Sequence, residues 1–369
     1  MNKVRTSYRF TITLGILIVG AFIVSGCSFS NLSFTQVPNA VTDGSMTLLW
    51  GPEIKQQALA MIDKSTKFVH LTMYELGDRT ILRALRQAQQ RGVKVKVVVD
   101  ATEPHTTSVA IPYFLRYHIA YRLLKIPGGI SHIKSLVTEQ GTQLRAMLGG
   151  MNFGEYSWQN HDASVYFSHA STGFEGLFQE DYARAGGMED PVLRFPMPLL
   201  YDDQIEPAML SAIAQARTSI AVEAFAFTSH TLIQALENAV SRGVHVTVIL
   251  DPHEPYNRYT AKRLRQNGIS VRYYTPYDGE YLHAKVICID GGRYVFVGSA
   301  NFSYHGFHVN HEGDVELVSN PAFGSVIDQD VQNQWNRGQS VANFILWRMK
   351  FDRSVMKLLG QIGKKQIAC

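Results

Sequence analysis

The feature that most limits what this chain can fold into is a repeat. "LLWGPEIKQQALAMIDKSTKFVHLTMYELGDRTILRALRQAQQRGVKVKVVVDATEP" starts at Leu48, and "LLYDDQIEPAMLSAIAQARTSIAVEAFAFTSHTLIQALENAVSRGVHVTVILDPHEP" starts at Leu199. The two align without a gap at a constant offset of 151. Ile54 pairs with Ile205, Leu59 with Leu210, Ala84 with Ala235, Leu85 with Leu236, Gly92 with Gly243, Asp100 with Asp251 and Pro104 with Pro255. Each copy reads helix, strand, helix, strand. In the helix expected over 80–90, Ile81, Leu82, Leu85 and Ala88 form one apolar stripe. "VKVKVVVD" and "VHVTVILD" are β-branched strands entered through an Arg-Gly turn. Apolar strands need helical cover, so the expected class is α/β, built as two repeated halves.

The same offset locates the chemistry. "HAKVICIDGGRYVFVGSANFS" begins at His283 and carries Lys285 and Asp290. Shifted back by 151, these fall on His132, Lys134 and Glu139 in "SHIKSLVTEQ". Beyond the acid the first copy is two residues longer, so Gly149-Gly150-Met151-Asn152 matches Gly298-Ser299-Ala300-Asn301. "QNHDASVYF" then matches "VNHEGDVEL", pairing Asp162 with Glu312.

Side chains alternate along a strand, so each histidine shares a face with its lysine, while Glu139 and Asp290 point to the other face and support the hairpin from behind. "DGG" at 290–292 suits a tight turn that needs positive φ. A lysine and an asparagine from each half would set cations and amide donors around an anionic, oxygen-rich centre. Asp162 lies 30 residues after His132, and Glu312 lies 29 after His283. Their expected role is to accept the second ring N–H and fix the tautomer. Two other sets read less sharply. His305, His308 and His311 recur at a spacing of three, but no matching ligand set occurs in the first half. Glu103 and Glu254 follow matching strands, where they either border a pocket or cap the next turn.

The doubled H-x-K-x4-D/E with a downstream G-[GS]-x-N resembles the phospholipase D superfamily, and "GGMNFGEY" resembles its cardiolipin-synthase branch. The likeness covers roughly 45 to 340. It implies a pseudo-twofold pair of α/β halves sharing one active site, and phosphodiester cleavage without a metal or other cofactor. By position, His132 would be the nucleophile that forms a phosphohistidine, and His283 the general acid for the leaving alcohol. Lys134, Lys285, Asn152 and Asn301, with Gly150 and Ser299 beside them, would bind the phosphoryl group, and Glu139 and Asp290 would complete the motifs. Glu139 departs from the usual aspartate. An in-line displacement needs attacker and acid on opposite sides of phosphorus, which two-fold related histidines supply.

The remaining segments concern location. "MNKVRTSYRFTITLGILIVGAFIVSGC" has a basic start, an apolar run from Phe10 to Val24 and small residues after it, the pattern of a secretory signal. "VSGC" resembles the bacterial lipobox, which implies cleavage before Cys27, lipid on Cys27, and export to the membrane surface; the alternative is an uncleaved anchor helix, and in either case the body is exported. Of 35 basic residues, Lys3, Arg5 and Arg9 lie in this signal, leaving 32 against 31 acidic ones, a net charge of +1. A near-neutral body offers no general attraction for nucleic acid. Cys288 reads as a strand-core residue and Cys369 is terminal, so no structural disulfide is expected.

The expected boundaries are a signal at 1–26, a tether at 27–44, halves at 45–192 and 193–340, and a basic amphipathic tail at 341–369. The leading expectation is a tethered enzyme acting on phospholipid phosphodiesters by hydrolysis or transfer to an alcohol. The internal repeat completes a site without dimerisation, so a monomer is expected. A nonspecific nuclease on the same scaffold and an inactive lipid-binding module are the alternatives.

Overall fold

A computed structural model describes residues 38–188 and 198–340. The signal, Cys27 and the tail at 341–369 lie outside the described residues. The first half runs β1 (Ala40–Asp43), β2 (Met46–Trp50), α1 (Pro52–Asp63), β3 (Phe68–Met73), α2 (Arg79–Gln90), β4 (Lys94–Asp100), α3 (Pro104–Tyr117), β5 (Ala120–Leu124), β6 (Lys134–Gln140), β7 (Gln143–Gly149), β8 (Ala163–Phe167) and α4 (Thr172–Arg184). The second runs β9 (Leu199–Tyr201), α5 (Ile205–Ala214), β10 (Ser219–Ala224), α6 (His230–Ser241), β11 (His245–Leu250), α7 (Asn257–Gln266), β12 (Ser270–Tyr273), β13 (Lys285–Ile289), β14 (Tyr294–Gly298), α8 (Tyr304–His308), β15 (Gly313–Val318), α9 (Pro321–Arg337) and β16 (Gln339–Ser340).

Each half makes one sheet. The orders are β1-β2-β8-β7-β6-β3-β4-β5 and β16-β12-β11-β10-β13-β14-β15-β9. Read from β2 and from β9, the two sequences of strands correspond one to one. In each, three strands (β3-β4-β5 and β10-β11-β12) run parallel, and the hairpin is joined to them through its first strand, β6 or β13, which runs antiparallel to β3 or β10. The α/β class and the two-fold doubling therefore stand.

Helix α2 buries Ile81, Leu82, Leu85 and Ala88, the expected stripe, and Asp78 caps it by accepting from the N–H groups of Thr80 and Ile81. The cap satisfies amides that a helix start leaves unpaired. Outer helices cover each sheet, while the inner faces pack against each other. One core joins Ile133, Leu148 and Val165 of the first half to Leu282, Val297 and Val315 of the second. Burying one such side chain contributes roughly 1.5–3 kcal/mol, so the halves cannot part without exposing a core.

The stretch expected to be tether is in part sheet. Ala40–Asp43 pairs antiparallel with Met46–Leu49 through a turn at Gly44, whose φ is +58°. Asp-Gly between short apolar-containing runs is a hairpin signal, and a Ser-, Asn- and Thr-rich composition hid it. The described residues include no helix long and apolar enough to cross a membrane.

Candidate active site

The motif strands meet where the halves touch. Ser131 bridges to His311, and His161 to Leu282, both in parallel sense. His132 N donates to His311 O at 2.8 Å, and His283 N donates to His161 O at 2.9 Å. Just before each motif a carboxylate at a strand end fixes the backbone. Asp100 Oδ2 accepts from Ser131 N at 2.7 Å, and Asp251 Oδ2 accepts from Leu282 N at 3.1 Å. Both aspartates are fully buried. The repeat alignment contained this pair, but conservation of type between copies could equally mean core.

His132, Lys134, His283 and Lys285 gather in this seam, together with Asp162 and Glu312. The carboxylates cross between halves. His132 Nδ1 lies 2.8 and 2.9 Å from the two oxygens of Glu312, and His283 Nδ1 lies 2.6 Å from Asp162 Oδ2. A carboxylate on Nδ1 leaves Nε2 as the free nitrogen of the neutral ring. Glu312 is itself fixed by Ser299 Oγ at 2.5 Å and Asn310 Nδ2 at 3.0 Å. Tyr74 meets His132 edge-on at 5.0 Å between ring centroids, and its repeat counterpart Phe225 meets His283 at 4.9 Å.

Burial sets the charge state. It lowers His132 well below the usual 6.5, helped by Lys134, Lys285 and His283. His283 is lowered to about 4 by burial and Lys285, against the opposing pull of Asp162. Lys134 falls to about 7 through burial that Glu312 offsets only in part, and Lys285 to about 8. Burial likewise raises Glu312 to about 7. Without an anion the pocket thus favours neutral rings and weakened ammonium groups. A phosphodiester placed among them would reverse that bias, since an adjacent negative charge favours every cation.

Lys134 Nζ donates to the carbonyl of its own His132 at 2.6 Å, and Lys285 Nζ does the same to His283. Asn152 and Asn301, at matched positions, each keep a buried Oδ1 that accepts no hydrogen bond. Buried polar atoms are seldom left without a partner, so two such amides at equivalent positions of the repeat mark these turns as more than packing.

Four expected site residues have roles other than those expected. Gly150 is not a phosphate ligand: its N–H donates to Ala163 O at 2.9 Å, and a Cβ there would overlap Asp162 Oδ1. Ser299 is fully buried, and its hydroxyl serves Glu312 and Gly313 N. Glu139 and Asp290 lie at the far strand ends. Glu139 pairs with Lys67 at 2.5 Å, and Asp290 accepts from the N–H groups of Arg217, Thr218 and Ser219. They brace the hairpins and stand outside the histidine cluster.

Glu103 caps α3, and Glu254 accepts from Tyr256 N at 3.2 Å. His308 pairs with Glu206, and His311 sits between Asp181 and Asp202. Those two carboxylates outweigh burial and raise His311 well above 6.5. The three histidines at 305, 308 and 311 therefore do not converge as one ligand set.

A family model described as "Cardiolipin synthase, PLD-like domain" matches residues 58–181 and again 209–335, one span per half. The chain belongs to the phospholipase D-like family of cardiolipin synthases. As a member, it is a phospholipase D-type enzyme. The cardiolipin synthase of Clostridium perfringens strain SM101 is 22% identical across 83% of this chain and 72% of its own. Cardiolipin synthase B of Salmonella typhi is 30% identical over 152 residues, 36% of each chain.

Among solved structures, phosphatidylserine synthase from Haemophilus influenzae superposes with a TM-score of 0.60 at 14% identity. It covers 87% of this chain and 95% of that one. Polyphosphate kinase from Porphyromonas gingivalis gives a TM-score of 0.58 at 19% identity over 78% of this chain. This chain spans about half of the kinase, 47%. Both likenesses concern the fold.

Proposed function

We propose that the chain transfers phosphatidyl groups from a phospholipid to an alcohol or to water through a phosphohistidine on His132. The observation that supports it most is the pair of crossed imidazole–carboxylate contacts, which turn two Nε2 atoms from opposite halves toward one lysine-lined seam. His132 is held neutral and therefore nucleophilic. Glu312 accepts from Nδ1 of His132 and so keeps Nε2 free to attack, and its carboxylate stabilises the positive charge that the ring gains in the attack. His283 has Asp162 at 2.6 Å to stabilise the imidazolium that its acid role requires.

In the first step Nε2 of His132 attacks phosphorus and the leaving alkoxide takes a proton from His283. In the second, His283 removes a proton from the incoming alcohol or water, whose oxygen displaces His132. Lys134, Lys285, Asn152 and Asn301 hold the equatorial oxygens. The cardiolipin synthase relatives favour a phospholipid substrate. The purified enzyme should convert phosphatidylglycerol vesicles, and His132→Asn should abolish the conversion. Cleavage of plasmid DNA with no turnover of phosphatidylglycerol would replace this reading with the nuclease one.

The location proposed is the outer face of a bacterial membrane, with lipid on Cys27. Mass spectrometry of the membrane-bound protein should find no peptide that spans Gly26–Cys27 intact.

A further inference from the structure

The contacts that cross between halves include a second layer behind the catalytic one. His161 is half-buried beside Asp330 of α9 and Glu223 of β10, and His311 is buried beside Asp181 of α4. Asp181 and Asp330 hold corresponding positions in α4 and α9, so these are pseudo-twofold counterparts. Their surroundings nevertheless differ in kind.

His311 presents one ring nitrogen to each of two carboxylates, with Asp181 on Nε2 at 2.7 Å and Asp202 on Nδ1 at 2.8 Å. That is the arrangement of an imidazolium, which has an N–H for each acceptor. His161 instead meets both carboxylates with the same nitrogen. Its Nε2 lies 2.9 Å from Asp330 Oδ2 and 3.3 Å from each oxygen of Glu223. One N–H cannot serve both. Asp330 Oδ2, in a residue only 6% exposed, is within ion-pair distance of that nitrogen but lacks a well-aligned donor of its own. In the first half the position of Glu223 is taken by Thr72, whose hydroxyl donates to Asp181 at 3.2 Å and so quenches the corresponding carboxylate.

We propose that His161, Glu223 and Asp330 bind one divalent transition-metal cation of the Zn2+ class. The three ligand atoms lie within 4.8 Å of one another. A tetrahedral cation with bonds of about 2.0–2.1 Å sets its ligand atoms about 3.3 Å apart, close to the 2.9 and 3.3 Å from His161 Nε2 to the two carboxylates. The donors are one imidazole and two carboxylates, and the His161 side chain is 14% exposed, which leaves a wet side for a fourth, water ligand. Binding displaces any proton on Nε2, and the cation's charge compensates two carboxylates that have no full complement of donors.

The cation would tie the loop before β8 to β10 and α9 of the other half. That loop carries Asp162 next to His161, and the His161 carbonyl accepts from His283 N at 2.9 Å and Ala284 N at 3.1 Å. The site is a brace behind His283, and none of its ligands faces the lysine-lined seam.

The test uses the full chain, stripped with chelator, dialysed and titrated with ZnCl2 against a chromophoric competitor. The readout is metal, not turnover, so the outcome stands apart from the catalytic proposal. Wild type should bind one equivalent. Glu223→Gln and Asp330→Asn should each bind at least tenfold more weakly, while Asp202→Asn, at the His311 counterpart, should bind as wild type does. Zinc-edge absorption of the wild-type complex should show a first shell of oxygen and imidazole nitrogen. Absence of binding by wild type, binding unchanged in Glu223→Gln, or a shell containing sulfur would each overturn the proposal. If both variants fail to fold, the wild-type stoichiometry and absorption shell decide alone.

Discussion

His132 and Glu312 belong to different halves of the repeat, 180 residues apart, yet Nδ1 of one lies 2.8 Å from the carboxylate of the other. His283 and Asp162 repeat the relationship in the opposite direction. Neither half therefore orients its own motif histidine, and the inter-sheet core becomes part of the catalytic geometry. Glu312→Gln keeps the volume but makes the tautomer ambiguous, since an amide can donate as well as accept. Removing such an outer partner typically costs about 10–100-fold in activity. The loss should fall on the burst of phosphoenzyme formation. Combined with His132→Asn, it should add nothing, because the two act as one unit. An additive double variant would show that Glu312 acts elsewhere.

Gly150 and Ser299 occupy equivalent turns and support the same two carboxylates in different ways. At Gly150 the absence of a side chain makes room for Asp162, while at Ser299 a hydroxyl fastens Glu312. Gly150→Ala should therefore push Asp162 away from His283 and lower kcat by about 10–100-fold, with little change in a phospholipid KM. Ser299→Ala should be milder, since Asn310 still holds Glu312. Steady-state kinetics on both variants with folding checked by circular dichroism decides the matter. Equal activity of Gly150→Ala and wild type would remove Asp162 from its positioning role.

Much of this site is legible in the sequence. The gapless register carried His283 onto His132 and Lys285 onto Lys134, and strand parity placed Glu139 and Asp290 behind the reacting face. The partner choice could not be read that way. Asp162 and Glu312 were visible as a matched pair, but which histidine each one meets depends on how two sheets stack, and no local spacing encodes that. Asp181 and Asp330 were harder still. The longer first hairpin shifts the offset from 151 to 149, so they fall outside the aligned stretch. Asp314, which accepts from Ser299 N and Ala300 N, has only Ser164 as its counterpart, and a repeat argument overlooks residues that occur once.

The buried lysines predict a pH profile. Lys134 at about 7 and Lys285 at about 8 lose their charge as pH rises. An anionic substrate is then met by a weaker clamp, so kcat/KM, which reports the free enzyme and already declines as His283 loses its proton from about 4, should fall more steeply above about pH 7–8. Once substrate is bound its phosphate stabilises both ammonium groups, so the alkaline limb of kcat should lie at higher pH than that of kcat/KM. His132, held well below 6.5, should keep the acid limb of kcat/KM well under that value. Identical alkaline limbs in the two profiles would mean that the lysines do not sense the substrate's charge.

The two histidines should fail differently. With His132→Asn no covalent intermediate forms on any substrate. With His283→Asn the attack by His132 survives, but the leaving alkoxide gets no proton. General acid assistance is typically worth about 10²–10⁴ in rate, and almost none of it is needed when the leaving group is p-nitrophenolate. His283→Asn should therefore lose about that factor on phosphatidylglycerol and far less in the release of p-nitrophenol from an activated phosphodiester. His283 is also the base for the second step, so its variant should accumulate phosphoenzyme after a burst. The label should map to the peptide containing "SHIK" and be absent from the one containing "LHAK". Label on His283 in the His132→Asn protein would reverse the two roles. Label on neither residue, in a burst experiment with active wild type as control, would reject the covalent route.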